Sequence, residues 1–180
     1  MTYNLAQSVP CPPADARPAF DRAQLVGANI NPTTWLATDY LNHFNEAIML
    51  LEMLPVAPEC KEDFLTWEPR SYVQHFAASN FKFRDLAVAA YEAADPAFRG
   101  QLDDISAQMT TILTATHEGM KGDLAPDTIR ILAEATTHWL RPLVARAGAV
   151  INGETVSATA ADDKAPQDAI DLLFDAPARG

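Results

Sequence analysis

Apolar residues recur at alternating steps of four and three along most of the chain, and this spacing predicts amphipathic helices that each bury one face. In the first of them the apolar positions include Leu41, Phe44, Ile48 and Leu51, while acidic and amide residues fall mainly opposite. No useful length of chain alternates with the period of two that a half-buried strand requires. Four helices are expected: A over residues 31–54, B over 71–94, C over 95–120 and D over 127–152.

Residues that cap or interrupt helices set the expected ends. The four expected N-caps are Asn31, Ser71, Asp95 and Asp127. Gln74 follows Ser71 by three positions, which is the arrangement of a capping box. Ser79-Asn80 is expected to divide helix B into two pieces. Pro142 should bend helix D, because proline removes a backbone donor and clashes with the preceding turn.

These helices predict an all-α, up-down-up-down four-helix bundle. The connection from A to B is long and is expected to contain a helical turn around residues 63–67. The predicted organisation is a mobile, proline-rich N-terminal tail (1–30), the bundle (31–152), a polar linker (153–164) and an acidic C-terminal peptide (165–180). Part of the tail is expected to lie along the domain through Phe20, Leu25, Val26 and Ile30.

Composition narrows the class of protein. Hydrophobic residues make up 48% of the chain, which is typical of a globular protein. A net charge of −11 without any Lys/Arg cluster argues against binding to nucleic acid or to an anionic membrane. Neither a membrane span nor a signal-peptide core is visible, so a cytoplasmic location is expected. Cys11 in the tail and Cys60 in a predicted loop indicate neither a disulfide framework nor a metal pair, and no cofactor is expected.

The C-terminal peptide has the pattern of a short amphipathic helix. Pro166 supplies a typical first helical position, and Ile170, Leu173 and Phe174 form one apolar edge among acidic residues. A helix of two turns is marginal alone in water, so it needs a surface to lie against. Two interpretations are open: the helix folds back onto its own domain, or it docks in the groove of a partner.

The eight residues 167–174, Gln-Asp-Ala-Ile-Asp-Leu-Leu-Phe, resemble the segment with which flagellar switch proteins of the FliM family bind the response regulator CheY. The acidic tails of chemotaxis phosphatases of the CheZ family are similar. The resemblance implies a CheY-like receiver domain as the partner, in two-component or chemotaxis signalling. Whether the chain also forms a homodimer is left open. The residues that would contact the receiver are Gln167, Asp168, Ile170, Asp171, Leu173 and Phe174.

A second resemblance lies in helix C. Residues 102–109, Leu-Asp-Asp-Ile-Ser-Ala-Gln-Met, are similar to the active-site helix of CheZ-like phosphatases, whose core is Asp-x-x-x-Gln. Asp104 and Gln108 match the two functional positions, whereas Asp103 replaces a glutamine of the family. By this resemblance Gln108 would hold a water for attack on a phospho-aspartate, and Asp104 would pair with the receiver's lysine. The alternative is a solvated helix face without catalysis, so enzyme activity is left open.

A different function, that of a metal- or cofactor-binding bundle of the ferritin or haemerythrin class, rests on four histidines, apparently one in each helix. Counting turns places His43 level with His138, and His75 level with His117. The candidate ligands are His43, Glu134 and His138. Their spacing departs from the Glu-x-x-His pattern of di-iron bundles. His43 also borders an apolar face, where a hydrogen-bonded structural histidine is the commoner outcome, so the main expectation is no metal.

Overall fold

The computed structural model describes residues 20–154, and this part of the chain is all-helical. The elements are α1 (Arg22–Gly27), a 3-10 helix (Thr38–Leu41), α2 (Asn42–Met53), α3 (Cys60–Thr66), α4 (Tyr72–Ala78), α5 (Arg84–Ala93), α6 (Pro96–Met120) and α7 (Pro126–Ile151). The only β-type pairing between residues 20 and 154 is an isolated bridge from Ile30 to Ala37. The prediction of an all-α fold is therefore confirmed for the described residues.

The described residues begin inside the segment that the sequence assigns to the N-terminal tail. α1 lies there, with Leu25 and the following Ile30 buried in the core. Phe20 meets Trp35 edge to face, with ring centroids 5.2 Å apart. The expectation that part of the tail lies along the domain is confirmed for these residues, whereas Val26 is exposed. The rest of the predicted tail, residues 1–19, lies outside the described residues.

The predicted start of helix A is wrong, because Asn31 caps a single turn. Its Oδ1 accepts hydrogen bonds from the amides of Thr33 at 2.8 Å and Thr34 at 3.2 Å. Trp35 then adopts a φ of +62°, a left-handed conformation that a right-handed helix cannot continue. The chain passes through the bridge and the 3-10 helix before α2 begins at Asn42.

The far end of helix A and the connection after it agree better with the sequence. α2 ends at Met53, within one residue of the predicted stop. The helical turn expected near residues 63–67 is present as α3. Cys60 is the first residue of that helix and is buried, so its predicted place in a loop is wrong.

Helix B is divided in two, as the sequence predicts. Ser71 Oγ accepts the Gln74 amide at 3.3 Å, while Gln74 Oε1 accepts the Ser71 amide at 2.9 Å, so the capping box is confirmed. The break between α4 and α5 begins at Ser79, whose Oγ accepts the Phe81 amide at 3.2 Å. This local hydrogen bond favours a turn over a continued helix.

The two longest helices, α6 and α7, form a helical hairpin. Asp95 caps α6 as predicted, with its Oδ1 accepting the Ala97 amide at 2.9 Å. α7 instead has Pro126 at its first position, so Asp127 lies in the first turn and does not cap it. Its charge there still complements the positive end of the helix dipole.

α7 is the helix around which the domain is arranged. It packs against α6 and α2, and α2 also contacts α3. A surface ion pair between Glu52 and Arg141 joins α2 to α7. α7 is assigned as one helix through Pro142, and the bend expected there stays a prediction. None of the helices between residues 20 and 154 combines the length and apolar character that a membrane span needs.

The C-terminal end of α7 is closed by its own backbone. The Gly153 amide donates to the Val150 carbonyl at 3.0 Å and the Glu154 amide to the Ala149 carbonyl at 2.9 Å. Gly153 has a φ of +89°, which completes the pattern of a Schellman motif. The hydroxyl of Thr34 also donates to the Ile151 carbonyl at 2.6 Å. The C-terminal end of α7 is therefore fixed.

Candidate functional site

The loop between α3 and α4 is held on the buried ring of His43. The Arg70 amide donates to Nε2 of this ring at 3.2 Å, and the Trp67 indole N–H donates to the His43 backbone carbonyl at 3.1 Å. The Trp67 ring also stacks on the imidazole, with centroids 4.8 Å apart. These contacts place Arg70 at the surface, where the residue is exposed.

His43 is neutral near pH 7. Burial, together with the positive charges of His75 and Arg70, lowers the pKa of His43 to about 4. Because Nε2 accepts the Arg70 amide, the proton of the neutral ring lies on Nδ1. This histidine therefore has a structural role, and its Nε2 lone pair is already occupied.

Three tyrosines from three elements lie beside this loop. The Tyr72 ring of α4 lies 5.1 Å from the Tyr40 ring of the 3-10 helix and 4.4 Å from the Tyr91 ring of α5. The Tyr40 hydroxyl donates to the Arg70 carbonyl at 3.1 Å, and the Tyr72 hydroxyl accepts the Ala37 amide at 2.9 Å. Burial raises the pKa of all three phenols, so each remains protonated at neutral pH.

α6 contributes the facing wall. The Tyr91 hydroxyl lies 2.7 and 2.9 Å from the two carboxylate oxygens of Asp103 and donates its proton to them. Ser106, one turn further along, is only 6% exposed, and its Oγ makes no hydrogen bond of ordinary geometry to the described residues. It lies close enough to Tyr40 to lower the pKa of that phenol, against the larger effect of burial.

These elements line an open cleft of about 460 Å³, called the tyrosine cleft below. Ser71, Gln74 and Thr110 complete its polar lining. Arg70 and Asp103 are its two charged lining residues, one of each sign. The cleft therefore offers a cation, an anion and several hydroxyls within one small volume.

The predicted phosphatase pair lies on a different face of α6. At roughly 100° per residue, Asp104 is turned about a quarter of the helix away from Asp103, and Gln108 is turned further. Asp104 is exposed, but Gln108 is half-buried and its Oε1 is inaccessible to solvent. The two residues share a helix face as expected, yet in this conformation the amide oxygen cannot accept a hydrogen bond from a water placed at a partner's phospho-aspartate.

The histidine pairs differ from those predicted. The ring of His43 lies 5.8 Å from that of His75, which the sequence places with His117. The Nε2 atom of His117 is 2.9 Å from the Leu65 carbonyl oxygen. The level of His43 was counted along a helix that starts at residue 31, whereas α2 begins at Asn42.

The alternative metal site is not formed. Glu134 is exposed and its carboxylate accepts Arg130 Nη1 at 3.0 Å, while His138 is exposed and His43 is buried. Between residues 20 and 154, no three or more His, Cys, Asp or Glu side chains are grouped so that they could hold a metal ion. His43, Glu134 and His138 therefore do not assemble into a ligand set.

The predicted receiver contacts belong to the C-terminal peptide, which lies outside the described residues. They are Gln167, Asp168, Ile170, Asp171, Leu173 and Phe174.

Comparison with known proteins gives no assignment: no family model matches the chain, and neither curated proteins nor solved structures give a significant match.

The tyrosine cleft is not visible in the sequence pattern. The pattern assigns Tyr40 to the core-facing side of helix A, and it shows Asp103 only as a departure from the phosphatase motif. The one local signal is Arg70, an arginine directly after a proline and directly before a capping box. Its relation to Tyr91 and Asp103 depends on the tertiary fold.

Proposed function

We propose that this chain is a helical regulatory protein that docks a CheY-like receiver domain through residues 167–174. The observation that carries the proposal is the sequence of that segment, in which Ile170, Leu173 and Phe174 recur at i, i+3 and i+4 among acidic residues. The proposal places the protein in the cytoplasm, in two-component or chemotaxis signalling. Its scaffold is an up-down-up-down arrangement of four arms: α2, the α4–α5 pair, α6 and α7.

The fixed end of α7 supports this role. The Schellman motif and the hydrogen bond from Thr34 hold the chain where the predicted linker, residues 153–164, begins. A linker of this length spans at most about 40 Å when fully extended. A receiver bound by the segment would thus stay near the helical domain, at a high effective concentration for any further contact.

The charge of the segment predicts the chemistry of the partner surface. Asp168, Asp171 and Asp175 flank the apolar edge. The surface that receives it should therefore combine an apolar groove with nearby basic side chains. Attraction between these charges would speed association and would weaken as salt is added.

Dephosphorylation of the receiver is a separate part of the proposal, because it needs the Gln108 amide to turn outward. If Asp104 and Gln108 act on a docked receiver, Gln108→Ala should abolish accelerated dephosphorylation and leave docking intact. Asp104→Ala should slow it through loss of orientation. If the unaltered protein does not accelerate dephosphorylation of a receiver that it binds, the protein is a docking module only.

Docking is tested by calorimetric titration against each receiver domain encoded in the same genome, in unphosphorylated and phosphorylated form. Phe174→Ala should weaken binding about tenfold or more, because it removes a large apolar side chain from the buried edge. Leu172→Ala is the matched control, since Leu172 lies off that edge, and it should change affinity little. A chain lacking residues 165–180 that still binds its receiver with unchanged affinity would refute the proposal.

A further inference from the structure

The guanidinium of Arg70 has no carboxylate partner among residues 20–154. Glu46, Asp63 and Glu68 line a neighbouring pocket with Arg70, but none of them forms an ion pair with it. The ion pairs within the described residues all involve other cations. Its backbone is fixed on both sides, since its amide donates to His43 and its carbonyl accepts Tyr40. The fold therefore holds an unpaired cation at the edge of the tyrosine cleft.

Asp103, on α6, is the negatively charged residue in the facing wall of the cleft. Within the described residues its hydrogen-bond partner is a neutral phenol, the hydroxyl of Tyr91, which supplies one proton shared between two carboxylate oxygens. A carboxylate has about four lone-pair positions, so Asp103 can accept further donors. Tyr40 lies near both residues: its hydroxyl donates to the backbone carbonyl of Arg70, and the charge of Asp103 helps to raise its pKa.

Ser106 adds an independent observation. Its side chain is 94% removed from solvent and lines the cleft, yet its Oγ has no hydrogen bond of ordinary geometry within the described residues. Its neighbour is the Tyr40 hydroxyl, whose pKa it lowers, so Ser106 can donate to that oxygen while its own lone pairs stay open. A ligand group with polar hydrogens would satisfy those lone pairs.

We propose that the tyrosine cleft binds a small zwitterion of the α-amino acid class. Arg70 would take the carboxylate, since the planar guanidinium matches that group in a two-bond fork. Asp103 would take the ammonium, and Ser106 would donate to or accept from the polar head. A simple anion would lie near Asp103 and a simple cation near Arg70, so each alone is disfavoured by the opposite charge. The volume of about 460 Å³ accommodates a molecule of this size.

The inference does not depend on receiver docking, because it is tested without a receiver. The full chain is screened by thermal unfolding against each proteinogenic amino acid at millimolar concentration, and those that raise the melting temperature are measured by calorimetry. Each is compared with its carboxamide, which lacks the carboxylate, and with its N-acetyl form, which lacks the ammonium. Removal of either ligand charge should weaken binding about tenfold or more.

Variants of the two charged residues that line the cleft give a second test of the proposal. Arg70→Gln and Asp103→Asn should each weaken binding of the amino acid about tenfold or more. Arg84→Gln and Asp85→Asn are the controls, since that exposed pair lies on the outside of α5 and should leave affinity unchanged. The proposal is overturned if no amino acid binds, if the N-acetyl form binds as well as the parent, or if Asp103→Asn has no effect. The last two outcomes would indicate a site for simple anions.

Discussion

A single imidazole fixes the backbone of Arg70 at the tyrosine cleft. His43 accepts the Arg70 amide through Nε2, carries Trp67 on its face and is almost fully buried. The acceptor role of Nε2 and the burial both require a neutral ring. The stability of this loop should therefore depend on pH.

The expected dependence follows from the lowered pKa of His43, about 4 in the folded protein against an ordinary value of 6.5. Between these values the unfolded chain binds a proton at His43 and the folded chain does not, so the free energy of unfolding falls as the pH falls through this window. The contribution is roughly 2–3 kcal/mol over the whole window. His75, whose pKa is also lowered by burial, acts in the same direction.

Urea unfolding at several pH values checks this prediction. His43→Gln should lose less stability than the unaltered protein on acidification from pH 6.5 to pH 4. His138→Gln, a change at an exposed histidine, should follow the unaltered protein. Parallel curves for His43→Gln and the unaltered protein would show that the imidazole takes up its proton without penalty.

At the residue scale, the sequence predicts the structural role of His43 but not its hydrogen bond with Arg70. The apolar pattern places His43 at the edge of a buried face, which is typical of a structural histidine, and the structure confirms that role. The apolar pattern cannot indicate that Nε2 of His43 accepts a hydrogen bond from the Arg70 amide. The two residues lie 27 positions apart, and an irregular loop brings them together.

At the scale of the elements, helices with strong local signals were predictable. The Asp95-Pro96 start of α6 and the capping box of α4 are read directly from neighbouring residues. The start of α2 was not predictable, because it depends on the positive φ of Trp35. Nothing in the residue type favours that conformation, since it is imposed by the packing of the turn around Asn31.

Pro142 gives a prediction for α7. The residue is exposed, lies inside the helix and leaves the His138 carbonyl without its usual amide donor. Pro142→Ala should restore this hydrogen bond and raise the free energy of unfolding by about 1–3 kcal/mol, as measured in urea. A loss of stability would mean that α7 needs the shape imposed by proline in order to pack against α2 and α6.

The contact between α6 and α7 gives a second prediction at the scale of the elements. The hydroxyls of Thr116 and Thr136 are fully buried and 2.8 Å apart, and each also approaches a carbonyl one turn earlier in its own helix. Each change to valine should lower the free energy of unfolding by about 0.5–1.5 kcal/mol. The double change should cost less than the sum, because both single changes remove the same contact. Strict additivity in the double-mutant cycle would show that the hydroxyls do not interact.

At the scale of the whole molecule, the helical domain and the C-terminal peptide are proposed to have separate roles. If the peptide serves a partner, removing residues 165–180 should leave the melting temperature of the domain almost unchanged. A scanning calorimetry experiment decides this. A large drop would instead assign Ile170, Leu173 and Phe174 to the core, since burial of each would contribute roughly 1.5–3 kcal/mol.

The tyrosine cleft also has to be considered at the scale of the whole molecule, because it is built from residues far apart in the chain. Tyr40, Tyr72 and Tyr91 come from three elements, and each fits a helical core position when considered alone. Arg70 and Asp103 are separated by two helices along the chain. A pattern of apolar spacing predicts which residues are buried but not which buried residues meet, so the helical class was predictable and the cleft was not.

The central claim is that residues 167–174 are sufficient to dock a CheY-like receiver. The most direct measurement is the affinity of a synthetic peptide of residues 165–180 for the receiver that the full chain binds, determined by calorimetry. The account predicts that the peptide binds within about tenfold of the full chain and that the Phe174→Ala peptide binds much more weakly. A peptide that fails to bind any receiver of the same genome, or that binds equally well without Phe174, would contradict it.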